Sequence, residues 1–302
     1  MTMVDYDEFS FLPDNASELG LEVDVPPIER VSTEVAAGQR MSAIHWGDGT
    51  PSFVLLHGGG QNAHTWDSVL MALGVPALAV DLPGHGHSDW REDRNYTASE
   101  HARAVAPVIR EFAQTPVFLV GMSMGGLTSI SLTAQFPELV KSLFLVDVTP
   151  NSAERSTEMS KEQRGTVALT AGPKTYESFE AMVEATAAAA PNRSLSNVRR
   201  GVLHNARELE DGTWIWRYDN MSSDHTTAGS YTSGWDEVSS IKVPITLVRG
   251  ADSRFVSDAD VTELTSRQPS AKVEVVPASG HSVQSDQPLA LVALLRTFLA
   301  SM

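Results

Sequence analysis

Cysteine is missing altogether from the 302 residues. That excludes a disulfide framework, a cysteine nucleophile and a thiolate metal site. Long apolar runs are missing too, since none approaches the ~20 residues that a membrane-spanning helix needs. Positive charge is scarce: 22 Lys and Arg stand against 38 Asp and Glu, for a formal net charge of -16. Such a surface repels phosphate backbones and anionic lipid, so neither nucleic acid nor a membrane is an expected partner. The N-terminal stretch MTMVDYDEFSFLPDNASELG carries acids where an export signal has a basic start and an apolar core, so the expected location is cytoplasmic. The GxxxxGK phosphate loop, the Rossmann GxGxxG, HExxH and the EF-hand loop are absent as well, and no cofactor or metal is expected.

What the chain does contain is an alternation of apolar strands and helices. RVSTEVAAGQRMSAIHWGDG reads as two short alternating strands joined at Gly38, and SFVLLHGGG as a continuous apolar strand ending in three glycines. Helix HTWDSVLMAL, strand PALAVDLPGHG and helix TASEHARAVAPVIREFA follow, the last with Thr97 as its cap and Glu100 completing a capping box. Next come strand VFLVG, helix MGGLTSISLTAQF and strand SLFLVDV. Strands that are apolar throughout and alternate with helices imply a mostly parallel sheet buried on both faces. The alternation breaks near Pro150, where polar residues and helix formers take over. YESFEAMVEATAAAA reads as a helix stopped by Pro191, and RELEDGTWIWRYD as an aromatic hairpin or loop. The alternation returns with VPITLVRGADS, SDADVTELTSR, KVEVVPASGHS and PLALVALLRTFLA. Residues 1–29 therefore read as an N-terminal extension, 30–150 and 236–302 as one α/β core, and 151–235 as a mostly helical cap inserted after the sixth strand.

One turn carries chemistry. In VFLVGMSMGGLTSI an apolar strand stops and a small-residue helix starts, with Ser123 held between Gly121 and Gly125. This is the G-x-S-x-G nucleophile elbow, in which a strained turn lifts a serine hydroxyl clear of the sheet. Residues two before and two after the serine must be small, because their side chains would collide across the turn. The following helix start aims free N–H groups and a positive dipole end at the serine, and the N–H of Met124 is one donor for an oxyanion.

HGGG at 57–60, DLPGHGHSD at 81–89, GMSMGG at 121–126 and SGHS at 279–282 resemble the α/β-hydrolase family in order and spacing, over roughly residues 30–300. The resemblance implies that Gly59, with Gly60 as the alternative, supplies the second oxyanion N–H. It also implies that His281, after the last strand, faces the elbow as the base. His57, His85 and His87 are read as structural. The family's usual acid follows the seventh strand as G-x-x-D, but here that position holds Ser253 and the nearby carboxylate, Asp252, stands one residue early. Some members carry the acid after the sixth strand, which here ends at Asp147. A carboxylate closing an apolar strand needs a partner, and Asp147 is preferred to Asp252 as the partner of His281.

The chemistry implied is hydrolysis of a small apolar carboxylic ester or lactone through an acyl-enzyme on Ser123. Two alternatives stay open: a carbon–carbon bond hydrolase acting on a diketone, and a non-catalytic ligand-binding protein on the same fold. An epoxide or haloalkane hydrolase is disfavoured, because those relatives carry Asp at the elbow. Trp66, Trp214, Trp216 and Tyr218 are candidates for lining the substrate pocket, with the core of the cap as their other use.

Overall fold

Ten strands and twelve α-helices emerge from this pattern in the computed structural model of the chain, which describes residues 6–22, 25–36, 38–191, 193–219 and 232–300. Parts of two segments discussed above, residues 1–5, 23 and 24 of the extension and 220–231 of the insertion, lie outside the described residues. Eight strands form one sheet: β1 (Ile28–Ala36), β2 (Gln39–Trp46), β3 (Phe53–Leu56), β4 (Ala77–Asp81), β5 (Val117–Met122), β6 (Val140–Val146), β9 (Ile245–Gly250) and β10 (Lys272–Val276). The remaining two, β7 (Ala206–Glu208) and β8 (Trp214–Trp216), make a separate hairpin. In space the order is β1-β2-β4-β3-β5-β6-β9-β10, and β2 alone runs against its neighbours.

The apolar strands are apolar because both faces are covered. Val54 and Leu56 of β3 pack on one side, Phe53 and Leu55 on the other, and all four are buried. Helices α1 (Leu12–Glu18), α2 (Asp67–Leu73), α3 (Ala98–Phe112) and α4 (Met124–Gln135) precede the insertion. Within it lie α5 (Ser152–Glu158), α6 (Lys161–Arg164), α7 (Phe179–Ala189) and α8 (Leu195–Asn205). The chain then continues through α9 (Thr232–Ser240), α10 (Asp258–Arg267), α11 (Val283–Asp286) and α12 (Pro288–Ala300). Residues of α3, α4 and α9 cover one sheet face, and residues of α1, α2 and α12 the other. Thr97 does cap α3, accepting from the Glu100 N–H at 3.3 Å. The Glu100 carboxylate, however, turns to Arg91 and Arg103 rather than closing the box.

Two boundaries differ from the sequence reading. The polar extension is partly structured: Leu12 and Ala16 of α1 are buried against the face that holds Trp66, Leu70 and Leu291. At the other end of the insertion, Trp235, Val238 and Ile241 belong to the opposite core, so α9 packs with the sheet and a boundary at 235 cuts through it. Residues of the insertion have a small core of their own, in which Tyr176, Met182, Val198, Val202, Trp216 and Tyr218 are buried together.

The N-terminal segment is fastened by charge as well as by packing. Glu8 accepts from Arg30 Nε at 2.9 Å and from His64 Nε2 at 3.0 Å, Arg30 Nη1 reaches Asp81 at 2.7 Å, and His64 Nδ1 meets Asp67 at 2.9 Å. Burial alone would push the His64 imidazole down, but Asp67 and Glu8 outweigh it and hold it up to about 9. A pKa raised above the ordinary ~6.5 gives stability that is present below that value and is lost as pH rises through the folded one, at most about 3 kcal/mol here. The melting temperature should therefore fall more steeply between about pH 6.5 and 9 in the parent than in His64→Gln. Parallel curves for the two proteins would show that His64 carries no such charge.

Candidate active site

At the end of β5 the backbone turns within one residue. Ser123 has φ 50° and ψ -118°, a left-handed conformation that costs a non-glycine residue of order 1–3 kcal/mol. The surroundings enforce it. A Cβ on Gly121 would strike Ser129 and the Gly125 carbonyl, one on Gly125 would strike the Leu56 and His57 carbonyls, and one on Gly126 would strike Val148. The three glycines let α4 sit hard against β3 and β6, with Ser123 at the tip.

Opposite the serine runs the loop after β3, and its bonds define its shape. His57 donates from Nδ1 to the Gly58 carbonyl at 2.8 Å and accepts the Leu82 N–H on Nε2 at 2.9 Å. Burial holds its pKa down, which suits this neutral bridging role. Gln61 Oε1 takes the Gly58 N–H at 3.1 Å, and His85 Nε2 takes the Gly60 N–H at 3.2 Å. Burial also pushes His85 down, to about 3, so it remains a neutral acceptor. The need for glycine falls at 58 and 60. A Cβ at Gly58 would crowd Met122 Sδ and lie 3.3 Å from Ser123 Cβ, and Gly60 has φ 71° with Thr170 and Tyr218 against it. Gly59 has room for a Cβ, whose nearest neighbour would be Met124 Sδ at 3.9 Å. Neither the Gly59 N–H nor the Met124 N–H makes a hydrogen bond among the described residues, and both residues line the cavity that holds Ser123.

The carboxylate brought to His281 is that of Asp147. Its Oδ2 lies 2.7 Å from His281 Nδ1. The same oxygen accepts the Ser253 hydroxyl, and Oδ1 accepts the Gly250 N–H at 3.1 Å. Asp147 is fully buried and stands just past β6 at φ 51°, a strained geometry that turns its carboxylate toward the loop after β9. Asp252 is exposed in that loop, and only its backbone N–H is engaged there, by Ser279 at 2.9 Å. Ser253, at the family's usual acid position, thus donates to the carboxylate that replaces it. Phe255 stacks on the His281 ring at 3.5 Å and 11° and fixes the ring plane from one side. With Nδ1 donating to Asp147, Nε2 is the acceptor. It is buried and without a partner among the described residues, and it makes no bond to Ser123 Oγ in this arrangement. Such a nitrogen can take a proton from a hydroxyl and return it to a leaving group.

A cavity of about 490 Å³ opens at Ser123, walled by Leu127, Ile130, Val148, Val167 and Phe255, with Glu237 among its polar groups. Burial raises the Glu237 carboxyl, while the Ser131 hydroxyl donating at 2.9 Å works against that rise. Of the four aromatics singled out in the sequence, Tyr218 lines this cavity. Trp66 does not: it is fully buried in the lower core among Leu12, Leu70 and Leu73. Trp214 packs on Phe179 at 5.3 Å, and Trp216 stacks on Tyr218 at 5.7 Å inside the insertion's core. Ser253, Phe255 and Gln61 were missed by the sequence reading, whereas His85, read there as structural, does brace the glycine loop. Only Ser253 had a signal, as the residue standing where an acid was sought.

Among the described residues, His64, Asp67 and His204 form a cluster of the size a metal needs. Their arrangement does not suit one. The His64 and His204 rings stack at 3.9 Å and 13°, so their in-plane lone pairs run side by side instead of converging, and both His64 nitrogens already face carboxylates.

Comparison with known proteins gives the family and the fold. A family model described as the alpha/beta hydrolase fold matches residues 51–288. The protein named Esterase Rv0045c, of Mycobacterium tuberculosis, is 51% identical over 294 residues, covering 97% of this chain and 96% of its own. A solved structure of that esterase superposes with a TM-score of 0.87 at 50% identity, covering 98% of this chain and 100% of the other. The structure of E-2-(acetamidomethylene)succinate hydrolase gives a TM-score of 0.78 at 23% identity, covering 91% and 100%, a likeness of fold. A 24% identical relative of that name comes from Mesorhizobium japonicum.

Proposed function

The chain belongs to the α/β-hydrolase fold family, and from that premise we propose that it is a serine esterase whose substrates are small apolar carboxylic esters and lactones. One observation carries the reading: His281, held by Asp147 at 2.7 Å, leaves its buried Nε2 unpartnered among the described residues, and the strand that leads to Asp147 runs parallel beside the strand that leads to the strained Ser123. The mechanism follows. Nε2 takes the Ser123 proton as Oγ attacks the ester carbonyl, and Asp147 holds the imidazole in the Nδ1–H tautomer and stabilises its charged form. The N–H groups of Gly59 and Met124 receive the oxyanion. The imidazolium returns the proton to the departing alcohol, and water, activated by the same Nε2, then releases the acid from the acyl-serine. These steps use side chains and backbone alone.

In this reading the described residues of the insertion, 151–191 and 193–219, act as a cap over the pocket. The apolar wall of Leu127, Ile130, Val148 and Val167 receives the acyl chain, and Tyr218 comes from the cap side. The 51% identity to a protein named an esterase supports an ester, rather than a diketone, as substrate.

A panel of p-nitrophenyl esters of graded acyl length, with simple lactones beside them, tests the proposal. Turnover should be greatest for acyl chains that fit a cavity of about 490 Å³ and should fall off for long ones. A fluorophosphonate probe should label Ser123. Failure of the pure protein to hydrolyse any ester or to take the probe would return it to the ligand-binding class.

A further inference from the structure

Among the described residues, the hydrogen bonds that shape residues 57–61 come from the core with one exception. His57, His85, Gln61, Gln284 and the loop's own backbone supply the rest. The exception is Asn205, the last residue of α8, whose Nδ2 donates to the Gly60 carbonyl at 2.6 Å. We propose that Asn205 is a positioning residue for the oxyanion hole, so that the hole is complete only when the cap is seated. This rests on the serine-esterase reading above.

The orientation of the Asn205 amide follows from its neighbours. Asn62 accepts the His64 N–H on Oδ1 at 3.0 Å and donates from Nδ2 to the His204 carbonyl at 3.0 Å. The same Nδ2 also reaches Asn205 Oδ1 at 3.3 Å. Since Asn62 presents its donor, Asn205 must turn its oxygen there and its nitrogen toward Gly60. The Asn205 carbonyl is anchored too, accepting the Arg217 N–H at 2.7 Å. Asn205 as a residue is only 8% exposed, so water competes poorly for this bond.

Gly60 is where such a clamp is needed. At φ 71° and with no side chain, its two flanking peptides turn easily. The peptide before it, which follows Gly59, is held by the 3.2 Å bond from the Gly60 N–H to His85. The peptide after it is held by Asn205 through the carbonyl, and by the Gln61 N–H donating to Gly58 at 3.2 Å. Releasing the carbonyl frees the peptide between residues 60 and 61, whose Gln61 N–H holds the Gly58 carbonyl, and the Gly59 N–H lies in the same peptide plane as that carbonyl and turns with it. A donor that must be in place before charge develops loses most of its value when it is free to wander. The cost of the loss therefore falls on the transition state and spares the bound ester.

Asn205→Asp is the discriminating variant, because it keeps the oxygen that faces Asn62 and replaces the donor with an acceptor opposite the Gly60 carbonyl. We expect kcat to fall about 10- to 100-fold, with KM within about 3-fold, on the best ester of the panel. The Ki of an alkyl trifluoromethyl ketone, whose serine adduct occupies the hole, should rise by the same factor as kcat/KM falls. When protonated, the introduced carboxyl can donate to Gly60. The ratio of variant to parent kcat should accordingly decline as pH rises from about 5 to 8.5, which a packing defect would not do. Asn62→Ala, which frees Asn205 from behind without adding charge, should shift kcat and Ki in the same direction by a smaller factor and serves if Asn205→Asp does not fold. Arg199→Ala is the control: it breaks an exposed pair with Glu180 six residues before Asn205 on α8, touches none of the bonds to residues 57–61, and should leave kcat and Ki unchanged. Values of kcat and Ki within 2-fold of the parent at every pH overturn the inference, as does a loss shared equally by Arg199→Ala. If the parent is not labelled at Ser123, the serine-esterase reading itself fails. If it is labelled and Asn205→Asp behaves like the parent, only the role of Asn205 fails.

Discussion

Ser123→Ala is expected to lose at least ~10⁴-fold in kcat while keeping the melting temperature of the parent. The two halves of this expectation have different causes. The hydroxyl makes no hydrogen bond that the fold depends on, and alanine at φ 50° bears the same backbone strain as serine, so the native state loses little. The reaction loses its nucleophile. Water in the same cavity, helped by the Gly59 and Met124 N–H groups, supplies the residual rate that triad-deleted hydrolases retain. Active-site titration with a fluorophosphonate, alongside steady-state kinetics on the best ester, separates true residual turnover from contamination by parent enzyme. Turnover within a few-fold of the parent would mean that Ser123 is not the nucleophile and that the strained elbow serves something else.

Asp147→Asn should be crippled on a similar scale, ~10⁴-fold in kcat, while Asp252→Asn stays within about 3-fold of the parent. The carboxylate of Asp147 faces donors only: the imidazole Nδ1–H, the Ser253 hydroxyl and the Gly250 N–H. An amide there must point its own NH₂ at one of them. If it faces His281, the stable tautomer carries its proton on Nε2, the nitrogen that has to accept the serine proton. Some stability will go too, because a buried donor is left opposed or unpaired, so folding is checked first by circular dichroism and melting temperature. Asp252 is exposed and its side chain holds nothing in the site. Were Asp252→Asn the inactive variant and Asp147→Asn the active one, the loop after β9 would have to rearrange in the working enzyme and bring the other carboxylate to the histidine.

The alternation of strands and helices and the glycine-flanked turn at Ser123 were legible in the sequence because each is a local pattern with a local cause, whereas the part given to His281 came from the resemblance to the family. Apolar residues on both sides of a strand mean cover on both faces, and glycine two residues either side of a serine means a turn too tight for side chains. Asp147 could be favoured because a carboxylate closing a buried strand must have a partner, even though its neighbour Ser253 stands where the family keeps its acid. Residues whose meaning depends on what arrives from elsewhere in the chain were not legible. Trp66 looks like a pocket residue beside the glycine loop, yet α1, drawn from what reads as a polar extension, closes over it and makes it core. Phe255 and Asn205 carry no motif. One becomes significant only when the last loop lays His281 on its ring, and the other only when α8 ends against the Gly60 carbonyl, 145 residues away in the chain. Periodicity and turn chemistry act over a few residues and can be read along a sequence. Contacts between distant segments arise when burial of the sheet's two faces forces those segments together, and only the folded chain shows which side chains then meet.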